Sequence, residues 1–150
     1  MVALGVDQIR QYQSWFRGAR VGLLTSITGR DSNLKSTIEV LREVCNLTAL
    51  FGPEHGVRGD VGAGEDVSTY IDAATGLTVY SLYGSAGKHF TQEMLDQFDI
   101  LVYDIQDIGV RFFTFISTLY NALTDCAKAG KTLVVLDRPN PLGGELVEGG

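Results

Sequence analysis

DILVYDIQDIGVRFFTFISTLYNALTDCAKAGKTLVVL, residues 99–136, decides the fold. Its first part, 99–105 (DILVYDI), is an apolar run of strand length, suited to a parallel strand covered on both faces. A polar-rich turn comes next at 106–111 (QDIGVR). Residues 112–129 then change to helical period. Phe112, Ile116, Leu119, Leu123 and Cys126 form the apolar stripe of an amphipathic helix, and Thr114, Thr118, Asn121 and Asp125 form a polar one. Gly130 is placed to end the helix, and 132–136 (TLVVL) is the next strand.

The same alternation extends towards the N-terminus. Residues 5–18 carry Val6, Ile9, Trp15 and Phe16 among polar neighbours and predict a short amphipathic helix. A near-continuous apolar strand is expected at 20–27 and a loop at 28–33. Ser36 and Glu39 have capping-box spacing and open a helix with Ile38, Leu41, Val44 and Cys45 on one face, which Asn46 can end. A second strand falls at 47–51, a long Gly/Asp-rich loop at 57–74, a third strand at 77–83 and a further loop at 84–89. Thr91 can cap the next helix, with Phe90 and Leu95 spaced as a hydrophobic staple and Met94 and Phe98 continuing the pattern. Strands alternating with helices predict one α/β domain over residues 1–150, a Rossmann-like, mostly parallel sheet with helices on both faces.

Composition narrows the function classes. A chain of 150 residues, 45% apolar and 20% charged, has the make-up of a globular domain. The net charge of −6 comes without any Lys/Arg cluster, which argues against nucleic acid or an anionic membrane as partner. No apolar run approaches the ~20 residues of a membrane span, and nothing near Met1 resembles a signal peptide. Cys45 and Cys126 sit in apolar helical patterns and read as free buried thiols. Gly59, Gly62 and Gly64 look like a phosphate cradle only superficially. A dinucleotide fingerprint must join the first strand to its helix, and Thr25-Ser26-Ile27-Thr28-Gly29 lacks it, so no cofactor is expected. The end at Glu148-Gly149-Gly150, after a Pro/Asn/Gly-rich turn with no closing helix, suggests a fragment of a longer protein.

In an open α/β sheet, ligands bind outside the carboxyl ends of the strands. The residues just beyond each strand are therefore a functional test. Ser26 and Thr28 lie beyond the first strand, Glu54, His55 and Arg58 of LFGPEHGVR (50–58) beyond the second, and Tyr83 beyond the third. The fourth ends in Asp104, Gln106, Asp107 and Arg111, and the fifth in Asp137, Arg138 and Asn140. Glu54 comes after a Gly-Pro corner and before a histidine, a setting for a general acid, base or nucleophile. Asp104 or Asp107 can supply the second carboxyl that glycoside hydrolysis usually needs. Arg111 and Arg138 can either pair with these acids or bind a substrate carboxylate. Tyr83, beside Gly84, is the aromatic residue best placed to face a ligand. A metal site from Glu54, His55, His89, Asp104 and Asp107 is a competing reading, although no HxH or HExxH spacing supports it and none is expected.

LFGPEHGVRG (50–59), Gly-Ala-Gly-Glu (62–65), TGLTVYSLYG (75–84), LVYDIQDIGVRFFTFISTL (101–119) and VLDRPNPLGGELVEG (135–149) together resemble the exo-β-N-acetylmuramidase family, formerly a domain of unknown function. The resemblance implies a glycosidase that removes N-acetylmuramic acid from the non-reducing end of peptidoglycan fragments in cell-wall recycling. It also implies a C-terminal domain beyond this chain and a periplasmic or secreted setting. Glu54 matches the family's catalytic glutamate. His55, Arg58, Asp104, Gln106, Asp107, Arg111, Arg138 and Asn140 match its other motif positions. Two departures stand out. The first-strand loop, usually Asn-Gln-Thr-Gly, is Ser26-Ile27-Thr28-Gly29, and the usual Pro-Thr before the helix after the third strand is Phe90-Thr91. A non-catalytic muropeptide-binding module is the rival from another class.

Overall fold

The computed structural model describes residues 2–59, 69–84 and 87–149. The motif glycines Gly62 and Gly64, and the rest of the 62–65 motif, lie outside these described residues. The elements run α1 (Gly5–Gln8), a 3-10 segment (Ile9–Phe16), β1 (Arg20–Thr25), α2 (Thr37–Val44), β2 (Asn46–Gly52), β3 (Tyr70–Ile71) and β4 (Thr78–Ser81). They continue with α3 (Gln92–Leu95), β5 (Ile100–Asp104), α4 (Phe115–Lys128) and β6 (Thr132–Val135).

The strands form a six-stranded sheet in the order β3-β4-β2-β1-β5-β6. Every neighbouring pair is parallel except β3 with β4. The chain steps outward from β1 through β2 to β4, then returns to build β5 and β6 on the other side. The order therefore reverses between β1 and β5, the switch point at which α/β sheets open a crevice.

Two apolar layers cover the sheet. Val6, Ile9 and Phe16 join Ile38, Leu41 and Val44 of α2 on one face. Phe90, Met94, Leu95, Phe98, Phe115, Ala122 and Cys126 cover the other. The central strands β1, β2 and β5 are buried almost throughout, which explains their continuous apolar runs. Gly22 on β1 leaves room for two rings. A Cβ there would lie 2.8 Å from Phe51 and 3.0 Å from Phe98. Phe90, just before the Thr91 cap, packs on Phe51 with centroids 4.9 Å apart.

Local signals set the helix ends. Ser36 Oγ accepts the Ile38 N–H at 3.2 Å, and the Glu39 carboxylate accepts the Ser36 N–H at 3.2 Å, completing the expected capping box. Thr91 Oγ1 accepts the Met94 N–H at 3.3 Å. At the end of α4, Gly130 has φ +65°, and Lys131 N–H bonds to the Cys126 carbonyl at 2.8 Å, a Schellman stop.

Several expectations need correction. The 5–18 helix is broken. Tyr12 leaves helical geometry, the second part tightens to 3-10, and Trp15 is 60% exposed. Fewer residues per turn rotate Ile9 and Phe16 inward and Trp15 outward. The expected α4 stripe is also displaced. Phe112, Ile116 and Leu123 are exposed, while Phe115, Ala122 and Cys126 face the sheet with Leu119 partly buried beside them. The helix starts at Phe115, so Phe112 lies outside it, and the small Ala122 lets the backbone approach the strands closely. The helix opened by Ser36 stops at Val44, and Asn46 begins β2 rather than closing the helix. The two-residue β3 lies within the stretch expected as loop.

Candidate active site

β2 delivers Glu54 to the carboxyl edge of the sheet. Gly52 ends the strand where the chain folds back on itself, and a Cβ there would meet Gly56 Cα at 3.2 Å. Pro53 to Gly56 form a turn closed by Gly56 N–H to the Pro53 carbonyl at 3.0 Å. His55 occupies the third position with φ +73°, a left-handed conformation that normally selects glycine. Holding a histidine there stores strain of about 1–3 kcal/mol. The turn leaves Glu54 half-buried and His55 exposed.

Glu54 lines a cavity of about 90 Å3 with Leu82, Tyr83, Lys88, Thr114, Ser117, Thr118 and Asn121. Thr114 Oγ1 donates to Glu54 Oε2 at 3.4 Å, linking the β2 turn to the start of α4. Glu54 is the cavity's one carboxylate among the described residues. The polar stripe of α4 thus faces the expected catalytic residue. The sequence shows Thr114, Thr118 and Asn121 as a stripe without assigning them to a site; their place on the helix after the fourth strand was the available signal.

Asp104 ends β5 at the switch point, fully buried. Arg138 Nε donates to Oδ1 at 2.5 Å and Nη2 to Oδ2 at 2.8 Å, and the Thr37 hydroxyl also bonds Oδ2. Arg138 Nη2 further donates to the Arg30 carbonyl at 2.8 Å. Of the two roles open to Arg138, the structure shows the pairing. Gly29 makes the close approach of the first-strand loop possible, since a Cβ would meet Thr25 Oγ1 at 2.1 Å. Thr28 Oγ1 accepts the Gln106 N–H at 3.2 Å across the same gap.

The remaining predicted residues are dispersed along the edge. Arg58 forms a two-pronged ion pair with Asp72 (2.7 and 2.8 Å), and this guanidinium is the main cause of the lowered Asp72 pKa. Gln106 Nε2 donates to the carbonyls of Asp107 and Pro139, tying the loop after β5 to the loop after β6. Asp107 Oδ1 accepts the Gly109 N–H at 2.7 Å. Arg111 and Asn140 line a separate, shallow cavity of about 510 Å3. A third cavity of about 350 Å3 is bordered by Ser26, Ile27, Arg30, Arg42 and Arg58. Tyr83 is therefore the predicted residue that shares a cavity with Glu54.

The alternative metal set is not assembled: His89 Nδ1 lies 3.0 Å from Asp125, and Asp104 is held by Arg138. Among the described residues, no three His, Cys, Asp or Glu side chains are grouped to hold a metal ion. No helix there is long and apolar enough to cross a membrane.

A family model described as the N-terminal part of the exo-β-N-acetylmuramidase NamZ matches residues 21–150. The chain belongs to this family. A peptidoglycan β-N-acetylmuramidase NamZ from Bacillus subtilis (strain 168) is 49% identical over 99% of the chain, which spans 36% of that relative. A crystal structure of a DUF1343 family protein from Bacteroides fragilis NCTC 9343 superposes with a TM-score of 0.87 at 50% identity, covering 98% of this chain and 37% of that one. A second such protein from the same strain gives 0.75 at 32% identity, over 93% and 35%. The Rossmann-like α/β fold is thus shared with solved structures, and the chain corresponds to just over a third of each NamZ or DUF1343 relative.

Proposed function

We propose that this chain supplies the acid/base residue of a β-N-acetylmuramidase that releases N-acetylmuramic acid from the non-reducing end of peptidoglycan fragments. The observation that carries this reading is Glu54. It is held by a strained turn at the carboxyl edge of the sheet, lines a small cavity, and belongs to a chain of the NamZ family. In this reading Glu54 protonates the glycosidic oxygen as the bond to the leaving group breaks, and His55 and Tyr83 flank the sugar. Arg111 and Asn140 belong to the outer part of the substrate groove. The rest of a protein of the relatives' length completes that groove as a further domain.

Asp104 is assigned a bracing role, because Arg138 and Thr37 occupy its oxygens. The second chemical role then falls to Asp107 or to the substrate's own acetamido group. Asp107 acting as base on water would invert the anomeric centre; acetamido participation would retain it. The anomer formed first, read by NMR, separates the two.

The deciding experiment is hydrolysis of a chromogenic β-N-acetylmuramide by a protein of full family length, beside its Glu54→Gln variant. Turnover that collapses in the variant is expected. Unchanged turnover would remove Glu54 from the chemistry. Binding of the muramide by the parent without any turnover would instead favour a non-catalytic binding module.

A further inference from the structure

The cavity beside Glu54 is small, and its lining includes Lys88, an exposed basic residue that the proposed chemistry does not use. At about 90 Å3 it falls well below the roughly 300–1,000 Å3 of pockets that enclose a whole small molecule. It therefore fits a substituent of a sugar rather than the ring. Lys88, Ser117, Thr118 and Asn121 are among its lining residues. Two guanidinium groups, those of Arg138 and Arg58, are paired with Asp104 and Asp72, and Arg111 lines the separate cavity assigned above to the outer groove.

From these relationships, and resting on the muramidase reading above, we infer that Lys88 and the polar face of α4 form a subsite for the carboxylate substituent of the sugar, the group that distinguishes N-acetylmuramic acid from N-acetylglucosamine. Lys88 supplies the charge, and the helix hydroxyls supply neutral donors. A carboxylate substituent needs a cation to meet it, and Lys88 is the cationic residue in this cavity's lining among the described residues.

The fold also fixes the segment that carries Lys88. Asn121 Nδ2 donates to the Lys88 carbonyl at 3.2 Å. One turn further along α4, buried Asp125 accepts the Phe90 N–H at 2.9 Å and contacts His89 Nδ1 at 3.0 Å. Residues 88–90 are thus clamped to the helix by an i, i+4 pair. Asp125 acts as a positioning residue: its carboxylate reaches the backbone two residues beyond Lys88.

The test uses a protein of full family length and two chromogenic substrates, the β-N-acetylmuramide and the β-N-acetylglucosaminide. Lys88→Met should lower the ratio of kcat/KM for the muramide to that for the glucosaminide by about ten- to a hundredfold, the span of a charge-assisted hydrogen bond. Lys88→Arg should restore most of it. Asp125→Asn should lower the same ratio less, while the exposed Lys128→Met serves as control. A ratio unmoved by Lys88→Met overturns the inference, as does an equal loss on both substrates, which would mark Lys88 as structural. If the parent hydrolyses neither substrate, the muramidase reading fails separately. The subsite is then judged by calorimetric binding of N-acetylmuramic acid against N-acetylglucosamine: preference for the acid that Lys88→Met abolishes supports it, and no preference overturns it.

Discussion

Arg138 grips Asp104 with two hydrogen bonds, at 2.5 and 2.8 Å, and neither side chain is more than 7% exposed. The pair joins the end of β5 to the loop after β6 at the point where strand order reverses. Arg138→Met would leave a buried carboxylate facing only the Thr37 hydroxyl. The expected cost is about 3–5 kcal/mol. Adding Asp104→Asn should recover part of that loss, because the uncompensated charge is gone. Urea midpoints of the two single variants and the double variant check both statements, and additive losses would contradict the pairing.

His55 carries the second prediction. Its φ of +73° suits glycine, so His55→Gly should be more stable than His55→Ala by about 1 kcal/mol, read as a higher Tm, since both variants lack the imidazole and its contacts. In a protein of full family length, and on the acid/base reading of Glu54, both changes should also lower muramide turnover, because the strained turn places the imidazole beside that carboxyl. Full turnover in both variants would reduce His55 to a turn residue.

Much of this was legible in the sequence, for physical reasons that differ by residue. The strands were, because double-sided burial demands unbroken apolar runs such as 101–103. The Ser36 capping box was, because it is local. The α4 face was not. Phe115 and Ile116 are adjacent, both begin plausible stripes, and the sheet's need for a small contact at Ala122 decides between them. Residues 50–58 stood out in the sequence as a candidate site. The partners of its edge were not, because Arg138 reaching Asp104 and Arg58 reaching Asp72 depend on which strands become neighbours. The role of α4 beside Glu54 was hidden for the same reason.

Both thiols should be inert in the folded chain. Burial pushes the pKa of Cys45 and of Cys126 up to about 11. At pH 8 that leaves roughly one thiol in a thousand ionised, against about one in four for a free cysteine. Labelling by a disulfide reagent should therefore be slow in buffer and rapid in urea. Fast labelling of buried Cys126 in the native protein would show that the α4 packing opens readily.

Acid sensitivity should arise from carboxylates whose partners hold them ionised: Glu43 beside Lys35 and Arg10, Asp7 beside Ser32, and above all Asp99 and Asp72. Asp99, paired with Arg20 through side chain and backbone, has its pKa lowered to about 2. Asp72 is lowered in the same direction, chiefly by Arg58. A carboxyl whose folded pKa lies below its unfolded one binds more protons when unfolded. Its stabilisation is thus complete above the unfolded value, about 3.9, and is lost as pH falls through the folded value. Stability should therefore hold between pH 7 and 5 on their account and decline between about pH 4 and 2. Asp99→Asn removes one titrating partner, so its urea midpoint should start lower at pH 7 and fall less steeply below pH 4. A parallel decline in parent and variant would mean that the Arg20–Asp99 pair, which ties the start of β1 to the approach of β5, does not report on folding.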